Sequence, residues 1–334
     1  MLREPLVSQF PKLVHLPNGT IAVGGAVRDL LLNIEALDVD VECDDPLACA
    51  SALGKVITLG RGDLTVYRVV VDDRVYDFSR KTDLGRRDFT INAIAMDLAT
   101  GDLSDPYDGQ EDIRRRVIRM ISPRNFDHDP LRMLRGVRLA VRFDFTIDDA
   151  TVAAIRRRSG RITTVAAERV TYELHAIFSA GKFRKALQLL NATALDEALF
   201  GFPVDARRFE ADDISLAAAY ALLLRDPKEF AKRWRWSDAL LRDVVTLQQL
   251  MRDPNLIALY DAGEKLARQL PLRVPMPDFN IKPLLNGNEI ASLTGKQPGP
   301  ELGAIKRALL EAQIRGEVRT RNDAERFIQS LRPA

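Results

Sequence analysis

The sequence predicts an α+β protein in which a mixed N-terminal head is followed by helical units. In the first third, short apolar runs alternate with glycine turns and helix starts, as in the stretch TIAVGGAVRDLLL. Beyond Pro123, apolar residues recur almost without interruption at helical spacing. The 334 residues suffice for two or three folding units rather than one.

Composition places the chain among globular proteins of a reducing compartment. It is 46% hydrophobic and 29% charged, and its net charge of +2 points to no particular partner. The two cysteines have neither metal-ligand spacing nor a disulfide framework, and the three histidines are scattered. No apolar run reaches the length of a membrane span, and the N-terminus lacks a signal-peptide pattern. We therefore expect a cytoplasmic protein with no membrane partner.

The head elements follow from the pattern in chain order. TIAV predicts a short strand, Gly24 and Gly25 a turn, and the residues after them a helix start. LDVDVE alternates with period two and predicts a second strand. TVYRVVV and VYDF alternate in the same way, and Asp72 and Asp73 between them predict a hairpin.

Helical units follow the head. DPLRMLRGVRLAVRF has apolar residues at helical spacing, with Arg132, Arg135 and Arg138 at successive three-residue steps. SLAAAYALLL and DALLRDVVTLQQLM continue the helical pattern. The proline-rich stretch LPLRVPMPDFNIKPLL predicts a linker before a last helical unit, ELGAIKRALLEAQIRGEV.

Asp38 and Asp40 are the first candidates for chemistry. Residues two apart on a strand share a face, so the two carboxylates project together. They repel each other unless a cation lies between them, and hard oxygen ligands suit Mg²⁺. Asp77, in VYDFS, could bring a third carboxylate from a neighbouring strand. The alternative is an exposed acidic strand end without a ligand.

The glycine turn just ahead of the aspartates suits a phosphate. Gly24 and Gly25 would let backbone N–H groups approach a phosphate closely at a helix N-terminus. Arg28 could add a charge-assisted contact to the same phosphates. Together with the paired aspartates, this is the assembly that metal-assisted phosphoryl or nucleotidyl transfer requires.

Five blocks in order resemble the class II tRNA nucleotidyltransferase and bacterial poly(A) polymerase family: GGAVRD, the two aspartates, RRDFTINAIAMDL, DPLRMLRGVRLAVRF and ERVTYEL. The tail GPELGAIKRALLEAQIRGEV resembles CCA-adding enzymes more than poly(A) polymerases. The resemblance implies a nucleotidyltransferase head of the polymerase-beta-like fold and an all-α neck, body and tail. The corresponding ranges are 1–122, 123–204, 205–272 and 273–334.

The resemblance also implies roles for individual residues. Asp38 and Asp40 would bind two Mg²⁺ ions, and Asp77 is a further catalytic candidate. The triphosphate would be held by Gly24, Gly25 and Arg28, and the ribose by Arg87, Asp88 and Asn92. A carboxylate that accepts from a ribose hydroxyl rejects the deoxy sugar. RRDFTIN also suits a helix N-terminus capped by Asp88 or Thr90.

The HDPLR block matches the EDxxR motif of the family, whose Asp and Arg pair with the incoming base. Asp129 and Arg132 match it, and Arg135 and Arg138 continue the same helical face as nucleotide-binding candidates. An Asp acceptor beside an Arg donor fork can meet a cytosine or an adenine edge. His128 stands where CCA-adding members commonly carry Glu. The block also suits a helix start with proline in the first turn.

In ERVTYEL the resemblance gives Glu168 and Arg169 a supporting role, fixing the helices that frame the nucleotide pocket. A structural helix with partners four residues apart fits the same residues equally well.

The segment between Asp77 and Arg86, FSRKTDLG, is short. Complete CCA-adding enzymes of this class carry a longer flexible loop here, which helps to reorganise the pocket from cytidine to adenosine. A shortened loop is a mark of enzymes that add only the two cytidines. We therefore favour CC addition, after which a second nucleotidyltransferase would complete the end. Addition of the terminal adenosine alone and addition of the full CCA stay open as alternatives.

The implied substrates are CTP and/or ATP and a tRNA, held at its acceptor stem and TΨC arm by shape and backbone. Candidate tRNA contacts in the tail are Lys282, Lys296, Lys306, Arg307 and Arg315. The alternatives are a poly(A) polymerase, an enzyme that transfers a nucleotide to a small molecule, and an RNA-binding module with a dead catalytic head. The base-pairing block disfavours the small-molecule enzyme, and the intact acidic residues disfavour the dead head.

Overall fold

The computed structural model describes residues 3–62, 65–210 and 212–331. The chain divides into two compact units, Met1–Glu210 and Ala211–Ala334. The first unit contains a mixed sheet with helices, and the described part of the second is helical. The predicted fold class is therefore confirmed. The four-part division into head, neck, body and tail stays a prediction.

The first unit is built on a twisted mixed sheet. Its described strands are β1 (Ile21–Val23), β2 (Asp38–Cys43), β3 (Ile57–Leu59), β4 (Val66–Val71), β5 (Arg74–Arg80), β6 (Ala95–Asp97), β7 (Leu103–Ser104), β8 (Val117–Ile118) and β9 (Thr146–Ile147). Among the described residues, seven strands form one sheet in the order β3-β4-β5-β2-β1-β6-β7. Its β2–β5 pair is parallel and its other pairs are antiparallel, while β8 and β9 form a separate parallel pair.

The middle of this sheet positions the acidic residues. Val39 and Val41 of β2 are fully buried, which leaves Asp38 and Asp40 on the other face of the strand. Asp40 lies opposite Val23 of β1 on one side and opposite Asp77 of β5 on the other. Because Val23 is the last residue of β1, the glycine turn that follows it begins beside Asp40.

The predicted hairpin is confirmed. Strands β4 and β5 pair antiparallel up to Val71 and Arg74, and the two residues between them, Asp72 and Asp73, both have positive φ. Such a two-residue turn matches the twist of the strands, and aspartate tolerates the left-handed conformation that it needs.

Helices surround the sheet and continue beyond it. In the first unit they are α1 (Arg3–Gln9), α2 (Gly25–Leu31), α3 (Pro46–Leu53), α4 (Gly109–Arg115), α5 (Arg124–His128), α6 (Leu131–Phe143), α7 (Asp149–Arg156), α8 (Ala167–Phe178), α9 (Phe183–Ala192) and α10 (Leu195–Phe200). Short 3-10 helices lie at Pro11–His15, Leu84–Arg86, Thr90–Asn92, Ser159–Thr164 and Ala206–Arg208.

Helix α6 forms because its apolar residues recur at helical spacing. Leu134 and Val137 are fully buried, whereas the arginines lie on the other side of the helix. Gly136 lets the helix lie directly on the buried ring of Phe89, because a Cβ at this position would be 2.7 Å from the ring atom Cζ. This close approach brings α6 against the segment that contains Asp88.

The second unit contains the remaining described helices. They are α11 (Leu216–Leu223), α12 (Pro227–Trp234), α13 (Asp238–Arg252), α14 (Leu256–Ala262), α15 (Glu264–Ala267), α16 (Gly287–Thr294), α17 (Pro300–Ile314) and α18 (Arg321–Ser330). The proline-rich stretch lies between α15 and α16. The last three helices share a core formed by Leu285, Ile290, Leu309, Ala312, Val318, Ala324 and Ile328. None of the helices in the described ranges is long and apolar enough to cross a membrane.

Candidate active site

A cleft of about 720 Å³ lies in the first unit, above the carboxylate face of β2. Of the fifteen site residues that the sequence predicts in this unit, ten line the cleft: Gly25, Arg28, Asp38, Asp40, Arg87, Asp88, Asn92, Arg132, Arg135 and Arg138. Five other predicted residues of this unit do not line it: Gly24, Asp77, Asp129, Glu168 and Arg169. Residues from strand β2, helix α2, helix α6 and the segment before Asn92 therefore meet in one space.

The aspartates of β2 lie in a crowded acidic environment. Burial raises the pKa of the Asp40 carboxyl; Arg87 opposes this effect, and the neighbouring carboxylates Asp77 and Asp38 add to it. The Asp40 side chain nevertheless keeps 47% of its surface accessible. A cation at this position would relieve the repulsion between the carboxylates. The donor set therefore fits a divalent metal ion.

The protein would supply only part of the coordination of such a metal ion. Within the described ranges, no group of three or more His, Cys, Asp or Glu side chains is arranged to hold a metal. Mg²⁺ usually binds through one or two carboxylates, with water and substrate phosphates as its other ligands. The Asp38 and Asp40 pair suits this mode of binding.

Asp77 lies beside Asp40 in the sheet, but its carboxylate is held by an arginine. Arg68 Nε donates to Asp77 Oδ1 at 2.8 Å, and Arg68 Nη2 donates to Oδ2 at 2.7 Å. This two-pronged pair across β4 and β5 engages both oxygens of the carboxylate, and Asp77 does not line the cleft. A metal-binding role for Asp77 stays a prediction.

The glycine turn leaves space for an arginine. Gly24 has a φ of 74° and its N–H donates to the carbonyl of Ile94. A Cβ on Gly24 would lie 2.3 Å from Nη1 of Arg87, so a larger residue would displace that guanidinium. Arg87 Nη1 lies 3.8 Å from Asp40 Oδ2, which places the arginine next to the acidic pair.

Buried polar side chains connect the turn to helix α6. Arg28 is buried and donates to Asp29 and to the amide oxygen of Asn92. Asn92 Nδ2 in turn donates to Asp88 Oδ1 at 2.9 Å, and Asp88 Oδ2 lies 3.3 Å from Arg135 Nη1. Burial alone would raise the pKa of Asp88, but Arg135 and the hydrogen bonds outweigh it and hold that pKa below its ordinary value. Asp88 is therefore an anchored, ionised acceptor at the cleft.

The arginines of α6 face the same cleft with different degrees of constraint. Arg138 Nε lies 3.0 Å from the buried Glu173 Oε2, whereas Arg132 reaches a backbone carbonyl at 3.4 Å. Asp129, just before the helix, receives a hydrogen bond of 2.9 Å from Arg169 Nη2. Arg169 of α8 thus touches the predicted base-reading aspartate directly.

Sequence reasoning missed several residues of the site. The main one is Glu42, which lies on the face of Asp38 and Asp40, lines the cleft and is 1% exposed. The period-two pattern of LDVDVE was the signal that could have identified it. Tyr172 and Arg142 also line the cleft, and Tyr172 is 67% exposed there.

The segment that follows β5 is short and anchored. Thr82 donates to Glu42 through its backbone N–H at 3.0 Å and through its hydroxyl at 2.9 Å. Asp83 accepts from the N–H of Gly85, and the carbonyl of Gly85 accepts from Asn125. These bonds hold the chain from Thr82 to Gly85 against the head and against helix α5.

The basic residues predicted to contact tRNA lie in the second unit. Lys282 and Lys306 are exposed. Arg307 donates hydrogen bonds to Asp261 of α14 and to Glu311, and these bonds raise the pKa of Arg307. Lys296 pairs with Glu301, and Arg315 pairs with Glu317. Arg307 therefore joins α17 to α14 within its own unit.

Two protein families match segments of the chain. The Poly A polymerase head domain matches residues 57–119, and the family described as the probable RNA and SrmB-binding site of polymerase A matches residues 144–204. Similar full-length proteins include the A-adding tRNA nucleotidyltransferase of Deinococcus radiodurans, 28% identical over 96% of this chain and 97% of its own. The CCA-adding enzyme of Anoxybacillus flavithermus is 28% identical over 88% of this chain and 89% of its own.

Solved structures give the same result. The CCA-adding enzyme of Bacillus stearothermophilus in complex with CTP superposes with a TM-score of 0.78 at 25% identity, over 98% of this chain and 97% of its own. The CCA-adding enzyme of Thermotoga maritima, complexed with tRNA, gives a TM-score of 0.74 over 99% of this chain and 95% of its own. At 22% identity, this match shows a likeness of fold.

A mixed head with paired aspartates at a polar cleft, followed by helices, is the arrangement of an enzyme of the nucleotidyltransferase type. The chain is similar to the class II tRNA nucleotidyltransferase and poly(A) polymerase family, both in the two matched segments and in the relatives and structures named above.

Proposed function

We propose that the protein is a template-independent tRNA nucleotidyltransferase that builds or repairs the CCA sequence at the tRNA 3′ end from CTP and/or ATP, with release of pyrophosphate. The observation that carries the proposal is the single cleft that joins Asp38 and Asp40 to Arg132 of α6. It places carboxylates suited to phosphoryl chemistry opposite a side chain suited to a base edge. The full-length similarity to A-adding and CCA-adding enzymes supports the same function.

Asp38 and Asp40 would hold the divalent cations, for which we propose Mg²⁺. When bound, these ions activate the attacking 3′-hydroxyl and neutralise the charge of the leaving pyrophosphate. Gly25 and the first turn of α2 lie at the cleft wall, where backbone N–H groups suit the triphosphate. Arg28 is already engaged by Asn92 and Asp29, so its contribution to the phosphates is a positive field from a fixed place.

The ribose and the base would be read by separate groups. Asp88 is held ionised by Arg135 and Asn92, which suits it to accept from a ribose hydroxyl. Arg132 would donate to the base edge, with Asp129 as the paired acceptor. Arg169 keeps the Asp129 carboxylate in one orientation, which supports a protein template in place of a nucleic-acid template.

We further propose that the enzyme adds the two cytidines and stops. The short segment after β5 supports this proposal, because Thr82 is bonded to Glu42 and Gly85 to Asn125. A segment held in this way has little freedom to reorganise a pocket from cytidine to adenosine. A second nucleotidyltransferase would then add the terminal adenosine.

Addition of the terminal adenosine alone is the second candidate. The similarity to the A-adding enzyme of Deinococcus radiodurans, which extends over nearly the whole of both chains, favours it. A poly(A) polymerase is the third candidate, because the head family that matches residues 57–119 carries that name.

Single-nucleotide extension separates these candidates. Purified protein with Mg²⁺ would receive tRNA transcripts that end before the CCA, after one cytidine and after both, each with CTP, ATP or both. Growth by two cytidines that stops with ATP present is the expected result. One adenosine on the CC-ended transcript alone would identify an A-adding enzyme, and completion from the bare end a CCA-adding enzyme. A long adenosine ladder would contradict the tRNA proposal.

A further inference from the structure

Glu42 is a buried carboxylate at the far end of the acidic face of β2. It is 1% exposed, and its oxygens accept from the N–H of Thr82, the hydroxyl of Thr82 and Nη2 of Arg87, the last at 3.1 Å. A buried carboxylate is costly unless charge and hydrogen bonds compensate it. Arg87 is the cation that does so here. The pair is therefore held more firmly than an ion pair at the surface.

Arg87 lies between two carboxylates that compete for it. Its Nη2 is 3.1 Å from Glu42 Oε1, and its Nη1 is 3.8 Å from Asp40 Oδ2. The Glu42 side chain is 2% exposed and the Asp40 side chain 47%, so water weakens the attraction of Arg87 to Asp40 much more than its attraction to Glu42. Glu42 therefore determines the position of the guanidinium.

Gly24 leaves the space beside Arg87 and Asp40 free of a side chain. The site where a Cβ of residue 24 would stand is 2.3 Å from Arg87 Nη1 and 3.5 Å from Asp40 Oδ2. No side chain of residue 24 separates the two groups. Without a second anchor, Arg87 would close a direct ion pair on Asp40 and occupy the oxygens that a cation needs.

We infer that Glu42 is a positioning residue that holds Arg87 off Asp40 and so keeps the Asp40 carboxylate available to a divalent cation. The inference rests on the proposed function, because it assumes that Asp40 is a metal ligand. Through Thr82, the same carboxylate also fixes the short segment after β5 relative to the acidic pair.

The test measures metal binding directly, with Mn²⁺ as the probe and without nucleotide or RNA. Glu42→Gln keeps the shape and an acceptor for Thr82 but removes the charge that holds Arg87. Free Mn²⁺, followed by electron paramagnetic resonance, should show binding that is about three- to tenfold weaker than in the wild type. Asp44→Asn is the matched control: Asp44 also pairs with the segment after β5, through Lys81, but its side chain is 89% exposed. The control should bind Mn²⁺ as the wild type does.

A double variant distinguishes positioning from a general structural effect. If Glu42 acts through Arg87, Glu42→Gln combined with Arg87→Ala should recover Mn²⁺ binding to near the wild-type level, because no guanidinium remains to cover Asp40. Binding by Glu42→Gln that equals the wild type, or a double variant as weak as Glu42→Gln, would overturn the inference. If Glu42→Gln does not fold, the single variant Arg87→Ala tests the inference. It should bind Mn²⁺ at least as tightly as the wild type, and weaker binding would overturn the inference.

Failure of the proposed function is seen in a separate measurement. Wild-type protein that binds Mn²⁺ but extends no tRNA would contradict the tRNA activity and leave the role of Glu42 standing. Wild-type protein that extends tRNA while Glu42→Gln binds Mn²⁺ normally would contradict only the role of Glu42.

Discussion

At the scale of single residues, Asp40 occupies a position that disfavours its own charge. Its pKa is raised by burial and by the carboxylates of Asp77 and Asp38, so the folded protein is less stable when Asp40 is ionised than it would be with a neutral side chain there. Such an arrangement persists when it serves a ligand rather than the fold.

The first prediction follows from that environment. Asp40→Asn should lower the rate of nucleotide transfer about a thousandfold or more, because a metal ligand is lost. The thermal midpoint at pH 7 should be equal to or above that of the wild type, since a disfavoured charge is removed. Both can be measured on one preparation, by extension assay and by calorimetry. A lower midpoint with residual activity would mean that Asp40 serves the fold and not the metal.

The second prediction concerns choice of base. Arg169→Ala frees the carboxylate of Asp129 and should reduce the preference among nucleotides several-fold, whereas Arg132→Ala should reduce it further. The ratio of kcat/KM for the correct and incorrect nucleotides gives the effect. Arg161→Ala is the control, because Arg161 pairs with Asp127, two residues before Asp129, and not with Asp129 itself. A variant at residue 132 or 169 with raised KM for every nucleotide and an unchanged preference would refute the template role.

At the scale of elements, the position of helix α6 depends on the contact between Gly136 and Phe89. Gly136→Ala should destabilise the protein by about 1–3 kcal/mol, because the added methyl group would overlap the buried ring. It should also raise the KM for nucleotide, since α6 carries Arg132 and Arg135. Denaturant unfolding and steady-state kinetics check both effects.

A matched glycine in another helix provides the control for this prediction. Gly303 lies within α17, and a Cβ added there would meet no atom within 4 Å among the described residues. Gly303→Ala should therefore stabilise by about 0.5–1 kcal/mol through helix propensity. Stabilisation by both substitutions would show that α6 can move away from Phe89 at no cost.

The elements also show what sequence patterns could and could not report. Period-two alternation predicted β2 and the hairpin, and helical spacing predicted α6, because both patterns reflect burial of one face. Partner choice was not predictable: the pairing of Arg68 with Asp77, of Arg87 with Glu42 and of Arg307 with Asp261 joins residues that only the fold brings together. No periodicity encodes which carboxylate an arginine meets.

At the scale of the whole molecule, the second unit has basic residues of two kinds. Arg307 connects α17 to α14 through Asp261, whereas Lys306 beside it is exposed. Arg307→Glu should lower the free energy of unfolding by about 1 kcal/mol, because it removes a network of ion pairs. Lys306→Glu should leave the unfolding transition unchanged, raise the KM for tRNA and flatten the salt dependence of tRNA binding.

These two variants separate the stability of the unit from RNA contact. They introduce the same charge at adjacent positions, so each serves as a control for the other. An unchanged KM for tRNA in Lys306→Glu, with normal salt dependence, would remove this face of α17 from the RNA site.

The central claim is that the cleft above β2 adds a short, defined sequence to the 3′ end of tRNA. The most direct measurement compares incorporation of labelled CTP and ATP into a tRNA transcript without its CCA by the wild type and by Asp40→Asn. The account predicts that the wild type adds two cytidines and stops there with ATP present, and that the variant adds none. An adenosine ladder of unlimited length, or incorporation that survives in the variant, would contradict it.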